Sequence, residues 1–299
     1  MNKRAVNISS LVILLALLSF ILEMCLYYFI PQHIVTVAVA VVISLALTHF
    51  FLETSLNYDY CFLHASFMTI ASIGFCMVIY FLQPNQWIQY DYSLIALIIF
   101  NWLTPFIYCF LRDFADRGPR FDDYLFFFHG MSILFLVIYA IGIIKQFFVT
   151  PLLPPYDSLP FGAHNFIPFM ATGNYLETAL SQNESIHQMV VYILEMIVLA
   201  IPFGFYAKVY TRNFPFPARL AIYLGCPLAI ELLQYVTGNG YGDIDDYSLT
   251  IIGTAIGIAI YHIVQAISYG LNKRNFLEDR TVTKNLIFHF EGTNTFDIR

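Results

Sequence analysis

The chain has 299 residues, of which 59% are hydrophobic and only 11% charged. A soluble domain carries about 25% charged residues, so this supply is too small to cover a water-facing surface, and lipid is the solvent that fits. The net charge of −6 is unevenly spread, and no basic run forms a nucleic-acid footprint, which excludes nucleic acid as a partner.

In chain order, Lys3 and Arg4 precede an apolar run from Leu11 to Ile30. That run is long enough to span, ends at Pro31 and has no small-x-small cleavage site, so it reads as an uncleaved first helix. Backbone groups in hydrocarbon must be satisfied within their own segment, so long apolar runs are helices there. The spans are expected at Leu11–Ile30, Ile34–Phe51, Tyr60–Leu82, Tyr92–Leu111, Tyr124–Val149, Gln188–Tyr210, Phe216–Val236 and Tyr247–Tyr269. The predicted fold class is therefore an all-α, polytopic membrane helical bundle of about eight transmembrane helices.

Basic residues orient it. Lys3 and Arg4, then Arg112, Arg117 and Arg120, then Lys208, Arg212 and Arg219, then Lys273, Arg274, Arg280, Lys284 and Arg299 all fall on one side of such a topology. Lys145 alone falls elsewhere, in the outer half of the fifth span. The positive-inside rule then makes both termini cytoplasmic. The five cysteines, Cys25, Cys61, Cys76, Cys109 and Cys226, sit in apolar stretches without C-x-x-C spacing and read as small buried hydrophobes.

The connection from Thr150 to His187 holds Pro151, Pro154, Pro155, Pro160 and Pro168 among many large apolar side chains. It is too apolar for a solvated loop. It is expected to lie on the outer interface or dip back into the protein, where irregular backbone is tolerated. The tail after Gly270 is polar and short, and reads as a mobile end or a small interfacial helix.

Ionisable groups inside spans are costly and mark candidate sites. They are Glu23, His49, His129, Lys145, Glu195, Glu231 and His262. Counting helix rise, Glu195 lies roughly 10 Å below the outer end of the sixth span and Glu231 roughly 8 Å below that of the seventh. Gln234 shares a helix face with Glu231. The following turn, Thr237 to Gly242, delivers Asp243, Asp245 and Asp246 to the outer start of the eighth span, and the long connection adds His164 and Asn165 on that side. The expected product is an acidic, polar pocket that opens outward.

Blander readings stand beside it. Aspartates at a helix start cap orphan N–H groups, and Glu231 with Gln234 can act as interhelical glue. Asp243, Asp245 and Asp246 are also weak candidates for a divalent cation, the one cofactor considered. Pro202 within Ile201–Phe205 is expected to kink the sixth span, while Gly253 and Gly257 form a small-xxx-small face.

Four segments in order resemble the VanZ-like family: Asn165-Phe-Ile-Pro-Phe169, Ile201-Pro-Phe-Gly-Phe205, Glu231-Leu-Leu-Gln234, and Asp243-Ile-Asp-Asp246 followed by Gly253 and Gly257. The resemblance covers about residues 124–270. It implies a VanZ-like four-helix membrane domain there, with an N-terminal four-helix membrane extension over 1–123 and a cytoplasmic tail over 271–299. It also implies a bacterial plasma-membrane location and carries over Asn165, Glu231, Gln234, Asp243, Asp245 and Asp246 as polar site positions. Where the family has Arg three residues before the first Asp, this chain has Gly240, so its site is more acidic. The founding member is associated with resistance to the glycopeptide teicoplanin.

Three functions follow as expectations. The first is binding of a cell-envelope ligand, a glycopeptide or a lipid-linked wall precursor, at the outer leaflet. The second is a membrane enzyme acting on a lipid-linked substrate, metal-assisted; no catalytic residue is assigned, and no Ser–His or Cys–His spacing supports a nucleophile. The third is a transporter, for which no repeated halves or paired broken helices are visible.

Overall fold

The computed structural model of the chain describes residues 6–55, 57–82, 92–115, 124–149, 164–165, 167–181, 186–237, 242–273, 275–277 and 295–296. Among the described residues it is helical, with eight helices long and apolar enough to cross a membrane. These are α1 (Ile8–Phe29), α2 (His33–Ser55), α3 (Asp59–Leu82), α4 (Tyr92–Ala115), α5 (Tyr124–Ile144), α7 (His187–Thr211), α8 (Phe216–Thr237) and α9 (Ile244–Asn272). Their positions match the eight apolar runs because each run is bounded by a residue that lipid or helix geometry rejects, such as Pro31 after α1. Large apolar side chains face outward along them, among them Leu14, Leu18, Ile141 and Val198. In water that surface would be prohibitive, and it is the surface a bilayer covers.

A ninth helix, α6 (Met170–Ser181), was not expected; it lies inside the long fifth connection. Its 12 residues are too few to span. Phe169, just before it, takes a left-handed φ of 60°. The tail lies mostly outside the described residues. Thr295–Phe296 pairs antiparallel with Val6–Asn7.

The chain forms two compact units, residues 1–137 with 277–299 and residues 138–276. The first unit buries polar side chains among its apolar core. α1 buries Val12, Ala16, Ser19 and Glu23 as one stripe, and α2 buries Thr36, Ala40, Ser44 and Thr48 as another. Steps of three and four residues keep each stripe on one helix face, and small side chains let helices approach. Trp102 Nε1 donates to Met131 O at 2.9 Å. His49 Nδ1 and the Tyr108 hydroxyl are 2.6 Å apart, and Arg112 pairs with Glu53. None of the five cysteines forms a disulfide, but Cys25 and Cys226 are exposed rather than buried. Their helices turn these positions outward, a phase that an apolar run does not reveal.

The second unit is organised by α7 against α9. A Cβ on Gly204 would stand 2.1 Å from Thr254 O, one on Gly253 2.2 Å from Ile197 O, and one on Gly257 2.1 Å from Ile201 O. No side chain fits there, so the backbones touch and glycine is required at all three positions. α7 runs through Pro202 without ending. Close to the gap this proline leaves in the hydrogen-bond ladder, Tyr139 donates to Leu199 O at 2.6 Å. α5 continues into a π turn, Lys145–Val149.

Candidate functional site

At one end of the second unit, the polar residues of α7, α8 and α9 meet. α8 buries Pro227, Glu231 and Gln234, spaced by four and three so that all share one face. Sequence alone cannot say which way that face turns, and here it turns inward. Gln234 Nε2 donates to Phe147 O in the π turn at 3.1 Å. Beneath lies an apolar layer of Phe147, Met189, Tyr192, Met196 and Leu249.

The three aspartates do three different jobs. Asp243 stands before α9 in extended conformation, and its Oδ1 accepts from Asp245 N at 2.9 Å, a helix N-cap. Asp245 is fully buried and reaches a different helix. Its carboxylate accepts from the Phe169 and Thr172 N–H groups and, at 2.8 Å, from the Thr172 hydroxyl. It thus caps α6 from more than 70 residues away in sequence, satisfying N–H groups that have no partner within that helix. Asp246 Oδ1 accepts from the Tyr192 hydroxyl of α7 at 2.5 Å.

Glu231 is buried beside this group, close enough to feel the charges of Asp243 and Asp246, and it accepts from the Asp243 backbone N–H. Its second oxygen, Oε2, is buried with no hydrogen-bond partner in the protein. A buried polar atom without a partner is costly, so an unmet oxygen among carboxylates is a demand for a donor.

The backbone of the long connection is tied to the same place. His164 pairs with Gly242 and Asn165 with Asp243 in a short parallel bridge. The side chains of His164 and Asn165 lie outside the described residues, as do residues 238–241 of the glycine turn. Glu195 does not join the others. Tyr192, Met196 and Ala200 are buried on α7, and Glu195 is exposed on its surface. Position along a helix does not fix rotation about its axis. Tyr192 was not anticipated, although its spacing of four from Met196 and eight from Ala200 would have placed it on the face that meets α9. Thr172 was equally invisible, because nothing marked α6.

These carboxylates are arranged to accept hydrogen bonds. Asp243, Asp245 and Asp246 turn to separate partners. Among the described residues no group of three or more His, Cys, Asp or Glu side chains is placed to hold a metal ion.

The fold and these features define a multi-pass membrane bundle with a buried acidic site at one end of its last three spans. Residues 131–265 match the VanZ/LLP1 family model. It resembles Protein VanZ of Enterococcus faecium, at 27% identity over 97 residues, which is 32% of this chain and 51% of that protein. The chain thus spans about half the length of the relative it matches. No solved structure matches it.

Proposed function

We propose that the VanZ-like domain binds a cell-envelope ligand, a teicoplanin-type glycopeptide or a lipid-linked wall precursor, at the outer leaflet of a bacterial plasma membrane. The observation that carries this reading is the buried Glu231 Oε2, which lacks a protein donor and stands beside Asp243 and Asp246. Such a site selects ligands rich in donors: ammonium, amide N–H and sugar hydroxyl groups.

The outward orientation rests on charge. Lys208 and Arg212 near the end of α7, Arg219 in the first turn of α8, and Lys273 after α9 lie at the end opposite the carboxylates. The positive-inside rule makes that end cytoplasmic and the acidic end extracytoplasmic, and both termini cytoplasmic. α6, with Leu176 and Leu180 exposed, then lies at the outer headgroup level, where an apolar surface is tolerated.

Two measurements test this. With Cys25 and Cys226 replaced by serine, Asn239→Cys should react with a membrane-impermeant thiol reagent added outside intact cells. Labelling only after the membrane is opened overturns the orientation. Cells carrying the protein should differ from cells without it in fluorescent glycopeptide or lipid-linked precursor bound at the envelope. Glu231→Gln should abolish that difference and Glu195→Gln should keep it. Equal binding with and without the protein overturns the ligand reading.

A further inference from the structure

The first unit holds a second buried glutamate, and its surroundings differ from those of Glu231. Glu23 of α1 is fully buried, and Asn101 of α4 and Ser72 of α3 are each 1% exposed. Asn101 Nδ2 donates to Glu23 Oε2 at 2.9 Å and to Ser72 Oγ at 3.0 Å. The Ser72 hydroxyl donates back along its own helix to Met68 O at 2.8 Å. Both amide hydrogens and the hydroxyl hydrogen are therefore engaged. Two acceptors remain buried with no donor, Glu23 Oε1 and Asn101 Oδ1.

A carboxyl group and a primary amide already joined by one N–H to O bond leave one oxygen each. In a carboxylic acid–amide ring those two oxygens share the acid's proton: the acid O–H donates to the amide carbonyl oxygen. A single proton supplies the missing donor for both atoms and removes a charge that lipid would penalise.

The neighbouring titratable groups do not supply a counter-charge. On α2, His33 stacks on Tyr27, with ring centroids 4.4 Å apart, one turn past Glu23. On α3, both ring nitrogens of His64 lack partners, and it lies eight residues before Ser72, roughly 12 Å along the helix. Cys25 on α1 and Cys76 on α3 are thiols. On α4, no Asp, Glu, His, Lys or Arg occurs between Tyr92 and Phe110. The partner of Glu23 is an amide.

We propose that Glu23 and Asn101 form an intramembrane proton-binding site, in which a proton on Glu23 Oε1 is donated to Asn101 Oδ1 and closes a ring between α1 and α4. It lies outside the residues that match the VanZ/LLP1 family and stands or falls independently of the envelope-ligand reading.

Infrared spectroscopy of the full-length protein in lipid nanodiscs at neutral pH tests it. The wild type should show a protonated-carboxyl carbonyl band that Glu23→Gln removes, while Glu231→Gln leaves that band in place. Asn101→Ala should move the same band to higher frequency, because the acid loses its amide partner. Glu23→Gln presents an amide of the same shape and should keep a melting temperature near that of the wild type, with Glu23→Ala clearly lower. Absence of any band lost in Glu23→Gln, or a band unmoved by Asn101→Ala, overturns the proposal. So does a melting temperature raised by sodium over choline chloride in the wild type but not in Glu23→Gln, since that identifies a metal cation as the partner.

Discussion

Both compact units bury a glutamate in a spanning helix, and they treat it in opposite ways. In the first unit, Glu23 faces one amide and one hydroxyl, with the two leftover acceptors on neighbouring side chains. In the second, Glu231 stands among aspartates, each met by backbone N–H groups or hydroxyls, and one oxygen is unmet. A closed pair needs only a proton. A crowd of acceptors needs donors from elsewhere. Under the two proposals, the same residue type marks an internal latch in one place and a binding surface in the other, and its neighbours decide which.

The largest test of this contrast is Asp245→Ala. It would leave the Phe169 and Thr172 N–H groups and the Thr172 hydroxyl without an acceptor. The expected loss is roughly 3–5 kcal/mol, read as a lowered melting temperature of the purified protein, since each stranded buried donor costs about 1–3 kcal/mol. If Asp245 were instead a ligand-binding group, this substitution would leave stability intact. Two smaller effects of similar size follow, the first from Gly257→Ala, whose methyl would meet Ile201 O at 2.1 Å and force α7 from α9. Overpacking of this kind costs about 1–3 kcal/mol, and crosslinking between cysteines introduced on the two helices should fall with it. Tyr192→Phe removes the donor to Asp246 and should cost about 1.5–3 kcal/mol, again by thermal melting. If Tyr192 also orients Asp246 towards a ligand, envelope binding falls by more than the stability change explains. The smallest effect belongs to Glu195→Gln, expected within about 0.5 kcal/mol of wild type because the side chain is exposed. A large loss there would mean that Glu195 belongs to the acidic group after all.

The sequence carried the spans because hydrocarbon thickness imposes a length on every apolar run. It also carried Glu231 with Gln234, since a spacing of three puts both on one helix face. Rotation about a helix axis was harder. Glu231 turns inward and Glu195 outward, and each sits in an apolar run with no polar stripe to set its phase. α6 was hidden for a different reason. Its first N–H groups are capped by Asp245, a residue supplied by a distant helix, so the usual local start signal is missing. Asn101 was passed over because attention to ionisable groups overlooks a neutral amide, though an amide in a span is as demanding of partners as many acids.

The glycine seam has a mechanical consequence. Where backbone rests on backbone, no rotamer is available to yield, so α7 and α9 behave as one stiff stave and do not slide past each other. Any opening or tightening around Glu231 then falls to the parts fastened by side-chain hydrogen bonds, namely α8 through Gln234 and α6 through Asp245. Each of these fastenings is a side-chain hydrogen bond that one substitution can remove, unlike the seam of backbone contacts.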